Sequence, residues 1–328
     1  MRLLFIVIIV FVFVACSKKQ NECVDAKDPE PISLNYQSLS DDLLGIESKE
    51  ELIQFLDSNK ILRDYFLHRA DYPNDSVFLE TLYQRFTNPH IDTLLMETEK
   101  VFGKEEKLKL DLVEAFGRVK AHYPDFTLPK IQTVVTGFDS DLFISDSLII
   151  IGLDYYLGKG AKYRPNMYDY ILQQYTPQNV VPSILLLIGI DTKLNANNPQ
   201  DKTVLADMMA YGKSFYFAKQ MSPCTPDSIF MHYTQAEMEG ARKNIDLIWY
   251  RFVEDKVVYN TSTQVKQRFL GERPKTIEVG PECPGRIGQW IGWQIVNSYV
   301  KNNNVTLTEL MQESNAEKIF KESRFRAK

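Results

Sequence analysis

The chain has 328 residues, of which 44% are hydrophobic and 25% charged, with 15 Gly and 15 Pro. This composition is close to that of an average globular domain, which excludes intrinsic disorder, collagen-like repeats and coiled-coil arrays as the main architecture. The 38 Lys and Arg against 43 Asp and Glu give a formal net charge of −5, whereas binding to nucleic acid phosphates requires a concentrated positive charge. We therefore expect a globular protein without a nucleic acid partner.

The chain begins with an apolar segment that runs from Leu3 to Val14. A helix of this length extends for about 18 Å, which is too short for a hydrocarbon core of about 30 Å and typical of a signal peptide. The sequence Phe13-Val14-Ala15-Cys16 resembles a bacterial lipobox, although Leu is usual where Phe13 stands. We therefore expect residues 1–15 to be removed and Cys16 to carry the lipid. An uncleaved short anchor and a plain secretory signal are the alternatives.

Residues 16–35 are polar and contain too few apolar side chains to fold by themselves. We expect a flexible tether there, followed by a single globular body over residues 36–328. Export would expose the remaining cysteines to an oxidising compartment. Cys224 and Cys283 lie in two similar loops flanked by proline, so a disulfide between them is one possibility, with Cys23 unpaired in the tether.

Residues 36–125 have apolar side chains at helical spacing. Ser48 and Glu51 form a capping-box pattern ahead of one helix, a second is predicted near residues 79–86, and a third runs from about residue 104 to the Tyr123-Pro124 break. Each predicted helix has one apolar and one charged face. We therefore expect a helical lobe over residues 36–125.

The strongest strand pattern lies in the middle of the chain. Apolar and polar residues alternate from Ile131 to Thr136, which predicts a half-buried strand, and the continuous apolar run Leu148-Ile149-Ile150-Ile151 predicts a central one. We expect these two strands to form a small antiparallel sheet. The fold class is therefore α+β and mainly α-helical.

Helices are predicted again after residue 160, over residues 163–175, 181–190, 202–221, 234–252 and 285–299, with a last short helix capped by Thr306 and Glu309. Gly288 and Gly292 lie four residues apart in one of these helices. They therefore share a helix face, where we expect another backbone to approach closely.

The four histidines, at positions 68, 90, 122 and 232, are isolated. A helix that binds a metal through two histidines needs them three or four residues apart. Nucleotide-binding and hydrolase motifs are also missing. The sequence therefore predicts neither a metal nor an organic cofactor.

Four stretches of the chain, residues 152–158, 208–217, 248–252 and 284–296, resemble the family of the gliding-motility lipoprotein GldB from gliding Bacteroidetes, and the lipobox agrees with this resemblance. GldB-like proteins are similar in turn to predicted zinc peptidases, in which a His-Glu-x-x-His helix follows a strand. The resemblance implies a zincin-like core in residues 126–328. It also implies a place among the envelope proteins of the gliding machinery.

A His-Glu-x-x-His helix binds zinc through two imidazoles on one face, and its Glu polarises the bound water. In the corresponding predicted helix of this chain, residues 202–221, the places of the first His, the Glu and the second His hold Asp207, Met208 and Tyr211, respectively. Methionine is a soft thioether that binds zinc poorly and cannot act as a base. The resemblance therefore implies a degenerate core that has lost its metal.

A cleft between the long helices is expected to remain. Its candidate lining residues are Tyr211, Lys213, Tyr216, Arg286 and Trp293, for each of which ordinary packing is the alternative. We expect a non-catalytic, lipid-anchored component of the gliding machinery that faces the periplasm from either membrane. An envelope hydrolase and a periplasmic module that binds peptides or glycans are the alternatives.

Overall fold

The computed structural model describes residues 23–327. The predicted signal peptide, Cys16 and the first part of the predicted tether lie outside the described residues. Within residues 23–327 the strands are β1 Tyr36–Ser38, β2 Lys130–Val134, β3 Leu142–Ile144 and β4 Leu148–Gly152.

The helices before the sheet and just after it are α1 Ser40–Leu44, α2 Lys49–Ser58, α3 Asp75–Phe86, α4 Pro89–Phe102, α5 Glu106–His122, α6 Asp169–Leu172 and α7 Val180–Ile190. The later helices are α8 Val204–Met221, α9 Asp227–Met231, α10 Gln235–Lys243, α11 Ile245–Glu254, α12 Thr263–Leu270, α13 Ile287–Asn303, α14 Leu307–Gln312 and α15 Ala316–Ser323. A π-helical turn spans Leu62–Phe66, and 3-10 turns span Arg69–Asp71, Leu153–Tyr156 and Pro177–Asn179. The mainly helical α+β class is confirmed.

The sheet is mixed, with the strand order β1-β2-β4-β3. β2 pairs with β4 in parallel, so that Ile131 lies opposite Ile149, and β1 pairs with β2 in parallel as well. Only β3 is antiparallel to its neighbour. The prediction of an antiparallel sheet is therefore wrong. β3 carries the chain back along the sheet, so β4 starts from the same end as β2.

The two faces of the sheet are covered by different helices. On one face, Ile131, Ile149 and Ile151 belong to a core built with α5, α7, α8 and α13. On the other face, Val134 and Ile150 pack with α1, α2 and α3. β2 is therefore buried on both faces rather than half-buried, while β4 is the central strand that was predicted. The predicted helical lobe is divided between the two faces, since α5 packs with the later helices.

Two predicted helices differ from the structure. The segment 163–175 contains only the single turn of α6, and the predicted helix over residues 234–252 is broken at Asn244 into α10 and α11. The capping boxes predicted at Thr234 and Thr306 are both present. Local capping chemistry therefore fixes where these helices begin, while their length depends on packing.

Residues 23–35, which we call the N-terminal strap, have no regular secondary structure but are fastened to the body. Cys23 forms a disulfide with Cys224, which corrects the possible pairing of Cys224 with Cys283 and leaves Cys283 free. The backbone N–H of Glu30 donates to Gly117 O over 3.0 Å, and Leu34 is buried. This part of the predicted tether is therefore packed against the body, which corrects the expectation of flexibility. In residues 23–327, no helix combines the length and hydropathy needed to cross a bilayer.

Candidate functional site

The predicted site residues lie on α8 and at the start of α13, two long helices that cross at very close range. α8 begins at a cap in which Thr203 Oγ1 accepts the N–H of Ala206 over 3.1 Å. A Cβ added to Gly292 would lie 2.1 Å from Met208 O, and one added to Gly212 would lie 2.5 Å from Gly292 O. The close approach predicted at Gly292 is confirmed, and Gly212 is its counterpart on α8.

Gly288 faces a different neighbour. A Cβ added there would lie 2.9 Å from Phe269 O and 2.8 Å from the side chain of Leu270, both in α12. Gly292 therefore lets α8 pack closely against α13, and Gly288 lets α12 do so.

Asp207 and Tyr211 form a partly exposed polar cluster with Arg286. The carboxylate of Asp207 lies 2.7 Å from Lys266 Nζ. Tyr211 is 36% exposed, and its pKa is raised by burial and by the charge of Asp207, against the opposing charge of Arg286. Arg286 Nε lies 3.3 Å from a carboxylate oxygen of Glu272, and its guanidinium also donates to a backbone oxygen in α9. The structure thus brings three of the predicted residues together.

His232, one of the four isolated histidines, adjoins this cluster but was not among the predicted site residues. It ends α9 in the left-handed conformation, with φ 53°. Both ring nitrogens are buried without a hydrogen-bond partner, and burial, aided by the charge of Arg286, lowers the pKa well below its ordinary value. The imidazole is therefore neutral at physiological pH. No sequence signal indicates it, because its neighbour Arg286 is 54 residues away along the chain.

Met208, Lys213 and Trp293 are buried in the core and do not line an open cleft. Trp293 stacks on Phe215 with ring centroids 5.2 Å apart. Lys213 Nζ donates to Ala196 O over 2.6 Å and to Glu313 O over 2.8 Å. Burial lowers the pKa of Lys213 to about 8. These side chains hold the helices together, so the expectation that Lys213 and Trp293 line a cleft is wrong.

Tyr216 lies one helical turn beyond Gly212 and is half-buried against the main core. Burial raises the pKa of its phenol. It therefore contributes to packing and stands apart from the polar cluster at Asp207.

The donor set at the three zinc-peptidase places does not fit a zinc ion. Asp207 is already paired with Lys266, and Met208 is buried at the helix crossing. Within the described part of the chain, no three His, Cys, Asp or Glu side chains are grouped as metal ligands would be.

A second polar region lies at the carboxyl ends of β2 and β4. Because these strands are parallel, the loops that follow them meet at one edge of the sheet, where α/β proteins often bind ligands. Asp154 Oδ2 accepts the backbone N–H groups of Thr136 over 3.2 Å and of Gly137 and Phe138 over 2.8 Å each. Gly137 and Phe138 have positive φ angles of 81° and 70°.

Burial raises the pKa of Asp154 to about 6, although the three backbone hydrogen bonds oppose this shift. Nearby, Tyr175 OH donates to Asp141 over 2.9 Å, and Arg85 pairs with Asp139. These hydrogen bonds and this ion pair therefore connect the loop 136–141 to the rest of the body, whereas Asp154 Oδ1 is buried without a hydrogen-bond partner.

A cavity of about 490 Å³ lies between α5, the start of α7 and the loop 222–226. We call it the α5 groove. Its apolar wall includes Val181, Pro182 and Ile229, and its charged wall includes the ion pairs Lys107–Asp111 and Arg118–Glu114. Cys224 also lines it, so the groove lies beside the point where the N-terminal strap is attached.

Comparison with known proteins gives one result. A lipoprotein family model, described as that of the gliding motility protein GldB, matches residues 19–327. No curated protein and no solved structure matches the chain. The family match covers all the described elements, including both helices of the close crossing.

Proposed function

Since this chain belongs to the family of the gliding motility protein GldB, and is therefore a component of gliding motility, we propose that it acts there without catalysis. In this proposal a lipid on Cys16 holds the body to a membrane of the cell envelope, facing the periplasm. The body then binds other envelope proteins of the motility machinery. The zincin-like ancestry of its core remains a prediction.

A non-catalytic role is supported by the surroundings of Asp207 and Met208, which occupy two of the three positions of the zinc-peptidase motif. A metallopeptidase needs an open metal position and a base beside it. Here Met208 stands at the place of the Glu and is buried against the backbone of α13. Asp207 stands at the place of the first His, and its carboxylate is paired with Lys266.

Metal analysis of the full mature chain, purified in detergent, tests this proposal. We expect zinc far below one equivalent per chain and no cleavage of a casein substrate. A known zinc peptidase, purified in the same way, serves as the positive control. Stoichiometric zinc that is lost on chelation together with peptidase activity would establish the alternative of an envelope hydrolase.

The lipid anchor has its own test. Cys16→Ser should abolish acyl labelling and move the protein from the membrane fraction to the soluble fraction. Cys23→Ser is the matched control, since it removes a nearby cysteine and should leave acylation intact. Acyl labelling that survives in Cys16→Ser would refute the proposed site.

The alternative of a peptide- or glycan-binding module depends on exposed residues. Trp293 cannot test it, because its loss would disturb the core. Tyr211 is partly exposed, so its truncation should disturb the fold less than the loss of Trp293 would. We expect a folded Tyr211→Ala protein to support gliding normally, and loss of gliding in that variant would favour a binding site at the polar cluster.

A further inference from the structure

The N-terminal strap is fixed at several points between Cys23 and β1. Beyond the disulfide to Cys224, Val24 N donates to Pro223 O over 3.2 Å, and Lys27 Nζ donates to Ala121 O over 3.1 Å. Farther along, Glu30 N donates to Gly117 O over 3.0 Å. The strap therefore follows α5 from the loop 222–226 to the sheet.

Gly117 is shaped to receive this strap. A Cβ at this position of α5 would lie 2.6 Å from Glu30 O and 2.8 Å from the Cβ of Pro29. The three atoms nearest to such a Cβ all belong to the strap. The close fit shows that the strap is packed as a part of the body.

This attachment shortens the link between the body and a lipid on Cys16. Seven residues lead from Cys16 to Cys23, and seven extended residues reach at most about 25 Å. If the strap were released as far as Asn35, nineteen residues would reach at most about 65 Å. A globular body of this size is roughly 50 Å across. The short link is therefore about half as long as the body is wide, whereas the released one is longer than that width.

We infer that the Cys23–Cys224 disulfide turns the surface around the loop 222–226, with the α5 groove beside it, toward the lipid bilayer. This inference depends on the proposed lipid at Cys16. The partner of this surface is the phospholipid bilayer itself. The opposite side of the sheet, covered by α1, α2 and α3, faces away from it.

Photocrosslinking to lipid tests the orientation. The full acylated chain is reconstituted in phosphatidylcholine vesicles with benzoylphenylalanine at one of two exposed positions. Gln178 lines the α5 groove, while Tyr65 is 63% exposed and belongs to the opposite side of the sheet. Because the short link concentrates the groove at the bilayer, we expect roughly fivefold more phospholipid adduct at Gln178 than at Tyr65.

Two variants release the body by independent means. Cys23→Ser combined with Gly117→Ala removes the disulfide and displaces the strap. Insertion of forty Gly and Ser residues between Gln20 and Asn21 lengthens the link but leaves the disulfide and the fold intact, which keeps the test valid if the first variant does not fold. Both variants should reduce the ratio of phospholipid adduct at Gln178 to that at Tyr65 at least twofold. Cys283→Ser should preserve it.

Each outcome decides between the two proposals. Acylated chain with equal adducts at Gln178 and Tyr65, or a difference that persists after the insertion, would overturn the inferred orientation and leave the anchor standing. Absence of acyl label from the unmodified chain would overturn both. A difference that disappears in both released variants, with acylation unchanged, would support the orientation.

Discussion

Asp154 shows how one buried carboxylate can hold a loop at the edge of the sheet. Asp154→Ala would leave three backbone N–H groups of residues 136–138 without their acceptor, at a cost of about 3 kcal/mol or more in the free energy of unfolding. Asp154→Asn keeps an acceptor oxygen and should cost less. Urea unfolding followed by circular dichroism measures both. Asp146→Ala is the control, because its exposed pair with Lys193 contributes at most about 1 kcal/mol. Equal losses at Asp146 and Asp154 would contradict this account.

The same carboxylate predicts an unusual dependence of stability on pH. The pKa of Asp154 is about 6 in the folded protein and about 3.9 in an unfolded chain. Between these values the folded state binds more protons, so protonation of Asp154 stabilises the fold as the pH falls. From pH 7.5 to pH 5 this contribution should be on the order of 1 kcal/mol. Asp154→Asn should lack it, so the difference in unfolding free energy between the two proteins should change by this amount. A constant difference would refute the raised pKa.

The sequence could predict part of the polar cluster from spacing alone. Asp207 and Tyr211 lie four residues apart and share a helix face, whereas Lys213 is six residues from Asp207 and points elsewhere. The burial of Trp293 and the position of His232 beside Arg286 depend on how distant segments pack. Such contacts leave no local trace in a single sequence.

At the scale of elements, the crossing of α8 and α13 depends on the absence of a side chain. Gly292→Ala would place a Cβ 2.1 Å from Met208 O, and forcing the helices apart should cost about 3 kcal/mol in unfolding free energy. Gly240→Ala is the matched control. Gly240 lies inside α10 with no atom within 4 Å of an added Cβ, so alanine there should stabilise the protein by about 0.5–1 kcal/mol. Thermal unfolding of both variants measures the contrast, and a stable Gly292→Ala protein would refute the close crossing.

Helices were more predictable than strand pairing for a physical reason. The caps at Thr234 and Thr306 each join residues three positions apart, so the sequence contains the whole interaction. β1 pairs with a strand about 95 residues away, and β3 has only three residues without a strong alternating pattern. Sheet direction depends on that short return strand. The two recognised strands alone therefore could not determine it.

At the scale of the whole molecule, the polar composition of residues 16–35 correctly indicates a segment that cannot fold by itself. It does not reveal that a disulfide and a matching glycine in α5 hold residues 23–35 to the body. Likewise, three cysteines after Cys16 permit three pairings, and only the fold selects Cys23 with Cys224 across 201 residues.

The disulfide should therefore stabilise the whole molecule by restricting its unfolded chain. Cys23→Ser should lower the free energy of unfolding by about 2–4 kcal/mol, measured by urea denaturation of the full chain in detergent. Reductant should lower the free energy of unfolding of the unmodified protein by the same amount and leave that of Cys23→Ser unchanged. Cys283→Ser should keep both the stability and the response to reductant, since Cys283 is free. A response to reductant that disappears in Cys283→Ser and persists in Cys23→Ser would show that Cys283 forms the bridge instead. The strap would then be held by its noncovalent contacts alone, and the short link to the bilayer would lose its covalent basis.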